Sequence, residues 1–134
     1  MLRQSANRVT ALVVGACYLI LGALGFTVST AFSFSHPVGA QLFGVVSVNS
    51  LQNVAHLVIG AALVAAALLG RTPARLATRG IGTLLLLFGI AGLFLSSTDY
   101  NVFAVNAAAN LLHFASSATL LAVGLGTDRE PARR

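Results

Sequence analysis

The chain has 134 residues, 57% hydrophobic and 8% charged, with a formal net charge of +5 and a mean hydropathy of +0.88. Soluble domains carry about 25% charged residues, so the composition excludes an ordinary water-soluble domain and makes the bilayer the expected solvent. The positive balance does not imply nucleic acid: every basic residue is Arg, all sit in three short places, and no basic domain is available for such a partner.

A spanning helix needs about 20 mostly apolar residues. Four segments qualify, roughly 9–29, 49–70, 78–96 and 106–126, and they nearly use up the chain. Backbone groups in lipid must be paired within the segment, which favours helices. The runs are too long and too continuously apolar for barrel strands.

Arg3 and Arg8 precede the first span, which holds Cys17, the only cysteine, so no intrachain disulfide can form. Val14-Gly15-Ala16-Cys17 is similar to a lipoprotein processing box. A secretory signal, however, ends its short apolar core at the cleavage site, and here the run continues through Tyr18-Leu19-Ile20-Leu21. A buried structural thiol is expected. Gly15, Gly22 and Ser29 recur every seven residues, with Gly25 beside them. Such a stripe of small residues lets helix backbones approach closely.

The first connecting loop, 30–48, mixes Phe32, Phe34, Leu42 and Phe43 with Ser33, Ser35, His36 and Pro37. Pro37 and Gly39 discourage regular helix. Residues 40–46 are expected to lie flat at the outer interface and cover the bundle mouth, where aromatics are at home. His36 reads as a solvated loop residue.

The second span opens with Val48-Asn49-Ser50-Leu51-Gln52-Asn53-Val54-Ala55-His56-Leu57, and the fourth opens 57 positions later with Val105-Asn106-Ala107-Ala108-Ala109-Asn110-Leu111-Leu112-His113-Phe114. Both copies keep N-x-x-x-N-x-x-H. At helical spacing, Asn49, Asn53, His56, Gly60 and Ala67 share one face, as do Asn106, Asn110, His113, Ser117 and Gly124. The first Asn of each set suits an N-cap. The His residues sit about 10 Å inside their helix starts, at matched depth in the outer half, and are expected to point inward and approach one another.

Arg71, Arg75 and Arg79 separate the second and third spans. The third repeats the small residues of the first 67 positions later, as Gly82, Gly89, Gly92 and Ser96. The loop Ser97-Thr98-Asp99-Tyr100 follows, with Asp99 expected to cap or solvate a helix end and Tyr100 to anchor at headgroups. Gly15, Gly22, Gly82 and Gly89 are the expected helix-packing positions. Arg129, Arg133 and Arg134 follow the fourth span in a short tail, 127–134, while the other two loops hold no Lys or Arg. The positive-inside rule puts the Arg-bearing side, with both termini, in the cytoplasm. The Arg clusters read as topology signals and contacts for anionic headgroups. The expected fold is an all-α integral membrane protein: one membrane domain, 1–134, forming a four-transmembrane-helix bundle. Two parallel helical-hairpin repeats, about 8–70 and 75–126, are related by an axis along the membrane normal.

Three readings of the Asn/His stripes compete. In the simplest they form an interhelical hydrogen-bonded plug, at about 0.6–2 kcal/mol per bond. In the second, His56 and His113 hold a haem b iron or a metal ion, with each Asn orienting its neighbouring His. A closed zinc site wants four ligands, however, and no Cys, Asp or Glu is predicted at that depth. In the third they line a conduit or a site for a lipid, a quinone or a small solute. No Ser-His-Asp set, paired carboxylates or phosphate-cradling loop is visible, so a non-enzymatic role is expected. Gly124-Leu125-Gly126 is a helix end and not a nucleotide fingerprint. With the duplicated motif and four Arg-flanked spans in view, residues 8–125 resemble the actinobacterial membrane family catalogued as domain of unknown function 4383. Arg without Lys fits a high-GC bacterial source. The resemblance implies a small plasma-membrane protein of unassigned function. The sequence reading is an accessory or scaffold protein in the lipid bilayer of the bacterial plasma membrane, binding no cofactor, with another membrane protein or a second copy as its possible partner.

Overall fold

A computed structural model describes residues 5–29 and 34–127. Arg3, residues 30–33 with Phe32 and Ser33, and the tail beyond Thr127 with Arg129, Arg133 and Arg134 lie outside the described residues. The elements run α1 (Ala6–Ser29), β1 (Ala40–Leu42), β2 (Val46–Val48), α2 (Ser50–Leu69), α3 (Arg71–Leu95) and α4 (Ala107–Gly126). All four helices, of 24, 20, 25 and 20 residues, are long and apolar enough to cross a membrane. The chain is a multi-pass, all-α membrane protein with a small β-ribbon. Large apolar side chains such as Val13, Ile20, Val58, Leu87, Phe94 and Leu111 face outward, as a lipid-facing surface requires.

Each element boundary has a local cause. Ser5 starts α1, its hydroxyl accepting from Arg8 N at 3.3 Å. The turn between α2 and α3 is one residue, Gly70, whose φ of 130° ends α2 and lets α3 begin at Arg71. The sequence placed the third span at 78, but the helix starts seven residues earlier. Pro73 falls in its first turn, where the missing N–H needs no intrahelical partner. The stretch expected to lie flat, 40–46, is instead the first strand and turn of an antiparallel ribbon, with Ala40 opposite Val48 and Leu42 opposite Val46. Phe43 and Gly44 turn it with φ of 55° and 72°, and Val45 N bonds Leu42 O at 3.2 Å. Two consecutive positive φ values match the hairpin turn that suits strand twist.

Glycine governs the packing within each helix pair. Gly15 lies against Gly60, Leu63 and Val64, and Gly22 against Leu57 and the Asn53 backbone. At the corresponding contacts of α3 and α4, Gly82 meets Leu120 and Leu121, and Gly89 meets Phe114. The tightest contacts set the Asn53 amide on Gly25 and the Asn110 amide on Gly92. Between them, Ala11, Tyr18, Leu63, Ala67, Ala74, Leu85 and Leu120 form the buried core. Cys17 is exposed on the outer face of α1, contrary to the buried thiol expected: its neighbour Tyr18 takes the inward position.

Polar groups tie the end of the bundle where α1 begins and α4 ends. Asn7 Oδ1 accepts from Thr78 Oγ1 at 2.7 Å, and Asn7 Nδ2 donates to Thr127 Oγ1 at 3.1 Å. Arg8 Nε donates to Ala67 O at 2.7 Å and Arg79 Nε to Gly124 O at 2.8 Å. Those carbonyls lie in the last turns of α2 and α4, where intrahelical partners run out and a cation is favoured. The 67-residue offset between the first and third spans pairs Arg8 with Arg75, yet Arg79, one turn further along, makes the matching bond.

Replacing Gly25 or Gly92 by Ala should destabilise the protein by about 1–3 kcal/mol, because the added methyl overlaps a buried amide. Gly80→Ala, where nothing lies within 4 Å, should be neutral or stabilising by about 0.5–1 kcal/mol. Thermal unfolding in one detergent checks both.

Candidate functional site

The duplicated motif places its residues at three levels. At the first, Asn49 and Asn106 cap α2 and α4: Asn49 Oδ1 accepts from Gln52 N at 2.9 Å and Asn106 Oδ1 from Ala109 N at 3.0 Å. Their amide nitrogens reach across the molecule. Asn49 Nδ2 donates to Val102 O at 2.8 Å and to His36 O at 3.1 Å, while Asn106 Nδ2 donates to Val45 O at 2.8 Å. Each cap therefore holds the loop that precedes the other. Asn101 knots the second loop, accepting from Val105 N at 2.9 Å and donating to Val105 O at 2.9 Å and Ser96 O at 3.2 Å. His36 is an exposed loop residue, its Nδ1 accepting from Val38 N at 3.2 Å. Asp99 is exposed in the loop after α3, and Tyr100 projects with 78% of its surface exposed.

At the second level, one turn down, Asn53 and Asn110 turn away from the centre toward α1 and α3. Asn53 Nδ2 donates to Ser29 Oγ at 2.9 Å. The Asn53 and Asn110 Oδ1 atoms have no hydrogen-bond partner among the described residues and rest against Gly25 and Gly92. Amide oxygen over a glycine Cα is a recurring weak contact at helix interfaces.

At the third level the two histidines meet. His56 and His113 are 2% and 1% exposed, and their ring centroids lie 6.0 Å apart with planes at 59°. Tyr18 stands edge-on to His56 at 5.2 Å, and Phe88 stands edge-on to His113 at 5.0 Å and to Phe103 at 4.9 Å. Neither nitrogen of His56, nor Nδ1 of His113, has a hydrogen-bond partner among the described residues. The structure thus separates what the sequence grouped: among the described residues no Asn bonds to His56 or His113, and no hydrogen bond joins the two rings. Beside the imidazoles is a cavity of about 170 Å3, lined by Gln52, Ala55, His56 and Ile59 of α2, Leu84, Leu85 and Phe88 of α3, Phe103, and His113 of α4.

A family model described as domain of unknown function (DUF4383) matches residues 8–126. The chain belongs to that family. No curated protein and no solved structure matched. The family description assigns no activity, so in this DUF4383 member the chemistry has to be read from the site.

Three residues of the site carried no helical-stripe signal. Gln52 is buried beside Ser47 O and Phe103 O, and turning its amide so that the nitrogen faces them would let it donate to both. Phe88 and Phe103 form the aromatic wall. A signal did exist in the differences between the halves. At offsets of 57 and 67, Gln52 corresponds to Ala109, Phe103 to Val46, Phe88 to Leu21, Ala55 to Leu112 and Leu85 to Tyr18. On the cavity side a small residue replaces Leu112. On the other side Tyr18 is inserted, its hydroxyl facing Ser116 without a well-formed hydrogen bond.

Asn49→Ala should cost at least the about 1 kcal/mol of a lost cap. Asn49→Asp keeps the cap acceptor but turns a carboxylate toward two carbonyl oxygens. It should therefore also destabilise, by about 1–3 kcal/mol, whereas Asp at an ordinary N-cap is as good as Asn. Paired melting curves of the two variants make the comparison.

Proposed function

We propose that this is a non-enzymatic accessory protein of the bacterial plasma membrane that holds a small, neutral, lipid-soluble molecule at the His56/His113 cavity. In this reading the bundle is two parallel helical hairpins with both termini cytoplasmic, which puts the cavity in the outer half of the membrane. One observation carries it: an apolar-walled space of ring size lies against two buried histidines, three of whose ring nitrogens have no hydrogen-bond partner among the described residues. A buried polar group left unpaired costs about 1–3 kcal/mol, and lipid offers no partner to relieve it.

The lining residues include no charged side chain, so the favoured ligand is neutral. Size argues against haem b. A cavity of about 150 Å3 accommodates one benzene ring, and a four-pyrrole macrocycle has no room in about 170 Å3. A metal ion would find two imidazoles here, fewer protein ligands than the three or four that zinc sites use. The Asn residues support the scaffold side of the proposal, since their hydrogen bonds fix the loops and helix spacing that hold the cavity open.

His56→Leu and His113→Leu separate this reading from a structural plug. The variants should melt at or above the wild-type temperature, because each replaces unpaired polar atoms with an apolar group of similar size. Native mass spectrometry of protein extracted gently from its own membranes should show a bound small molecule that both variants lose. Clear destabilisation of both variants, with no such molecule on the wild type, would return the pair to a structural role.

A further inference from the structure

We propose that the cavity takes the hydrocarbon end of a bilayer lipid chain, which enters between α2 and α3. The proposal rests on reading the cavity as a ligand site and names its ligand class.

The wall selects hydrocarbon. Ile59, Leu84, Leu85 and Phe88 line the space, and the surface accessible within it carries no polar atom. A charged or hydrogen-bonding group brought there would give up its solvation and find no partner, whereas hydrocarbon forgoes nothing.

The corresponding seam, between α1 and α4, is built differently. At offsets of 57 and 67, Ile59 corresponds to Ser116, Leu84 to Cys17, Leu85 to Tyr18 and Ala55 to Leu112. Tyr18 is buried there with its hydroxyl facing Ser116, so that seam is filled and holds polar groups. Between α2 and α3 the same positions carry hydrocarbon side chains, and Ala55 is small where Leu112 is large. Room and an apolar wall arise together, on one side of the His pair only.

Depth selects the part of the lipid. Leu84 both lines the cavity and is 54% exposed on the outer surface of α3. The opening therefore faces the bilayer, flanked by the outward-facing Val58 and Leu87. Leu84 stands near the middle of α3, Arg71–Leu95. At about 1.5 Å per residue it lies about 16 Å from the Leu95 end, roughly half of the about 30 Å hydrocarbon thickness. Headgroups do not reach that depth, and chain ends are the apolar groups present there in bulk. Size sets how much enters. A cavity of about 150 Å3 takes one benzene ring, so a chain contributes about its last six carbons to about 170 Å3. The rest of the lipid stays in its leaflet.

The test uses the protein in phosphatidylcholine nanodiscs carrying one of three photoreactive probes. They are phosphatidylcholine with a diazirine at the end of one chain, the same lipid with the diazirine beside the ester, and free phenyl(trifluoromethyl)diazirine. Labelled residues are mapped by peptide mass spectrometry after irradiation, relative to the outward-facing Leu87. The chain-end probe should label Ile59 and Phe88 severalfold more than the ester-side probe does. Ala55→Leu copies the residue at position 112 and should lose that labelling, and the milder Ala55→Val should lower it, with Leu87 labelled as before. If the free arene labels Ile59 and Phe88 while the chain-end lipid labels them no more than the ester-side lipid does, the lipid chain is overturned and the ligand site survives. Chain-end labelling unchanged in both Ala55 variants would also overturn it. If no probe labels Ile59 or Phe88, both the lipid chain and the ligand site fall.

Discussion

The structure depends on two asparagine side chains that each do two jobs. Asn49 and Asn106 begin α2 and α4 with their amide oxygens and hold the opposite loop with their amide nitrogens. In lipid, a helix end or loop carbonyl left unpaired has no solvent to turn to. These bonds therefore set where both helices start and how the two helix pairs face each other. Everything deeper follows by helical spacing. Four residues on, Asn53 and Asn110 settle onto Gly25 and Gly92. Three further on, the imidazoles arrive at one level, 6.0 Å apart.

The centre shows what such spacing cannot satisfy. The asparagines spend their hydrogen bonds on loops and on α1, and the histidines meet with three of their nitrogens unpaired among the described residues. Aromatic edges from Tyr18 and Phe88 hold the rings in place but pair none of those nitrogens. Tight glycine packing at one radius and a cavity at another coexist because different residues control them. Gly15, Gly22, Gly82 and Gly89 close the helix pairs, while Ala55 and Leu85 leave room between α2 and α3.

Much of this was legible in the sequence. Apolar length gives the four helices, Asn at each helix start gives the caps, and the spacing of Asn53 from His56 gives a buried stripe. Less legible were features that depend on backbone angles or on partners distant in the chain. The ribbon at 40–48 has three-residue strands and no Asn-Gly turn; Phe43 adopts a positive φ that its type does not announce. Helix α3 begins at Arg71 because Gly70 turns the chain in one residue. Cys17 faces outward because Tyr18 claims the interior. Arg8 and Arg79 look like topology signals in the sequence, yet they also pair with the carbonyls of Ala67 and Gly124. The separate duties of Asn and His were hidden for the same reason: one helical face looks out on different neighbours at different depths.

The central claim is that the two histidines are held ready for a bound molecule and do not bind each other or the scaffold. The most direct measurement is an experimental structure of the protein isolated with its native lipids, at a resolution that shows hydrogen-bonding neighbours. The account predicts ring-sized non-protein density touching His56 and His113 and flanked by Phe88 and Phe103. Imidazole nitrogens paired with protein side chains around a collapsed cavity would contradict it.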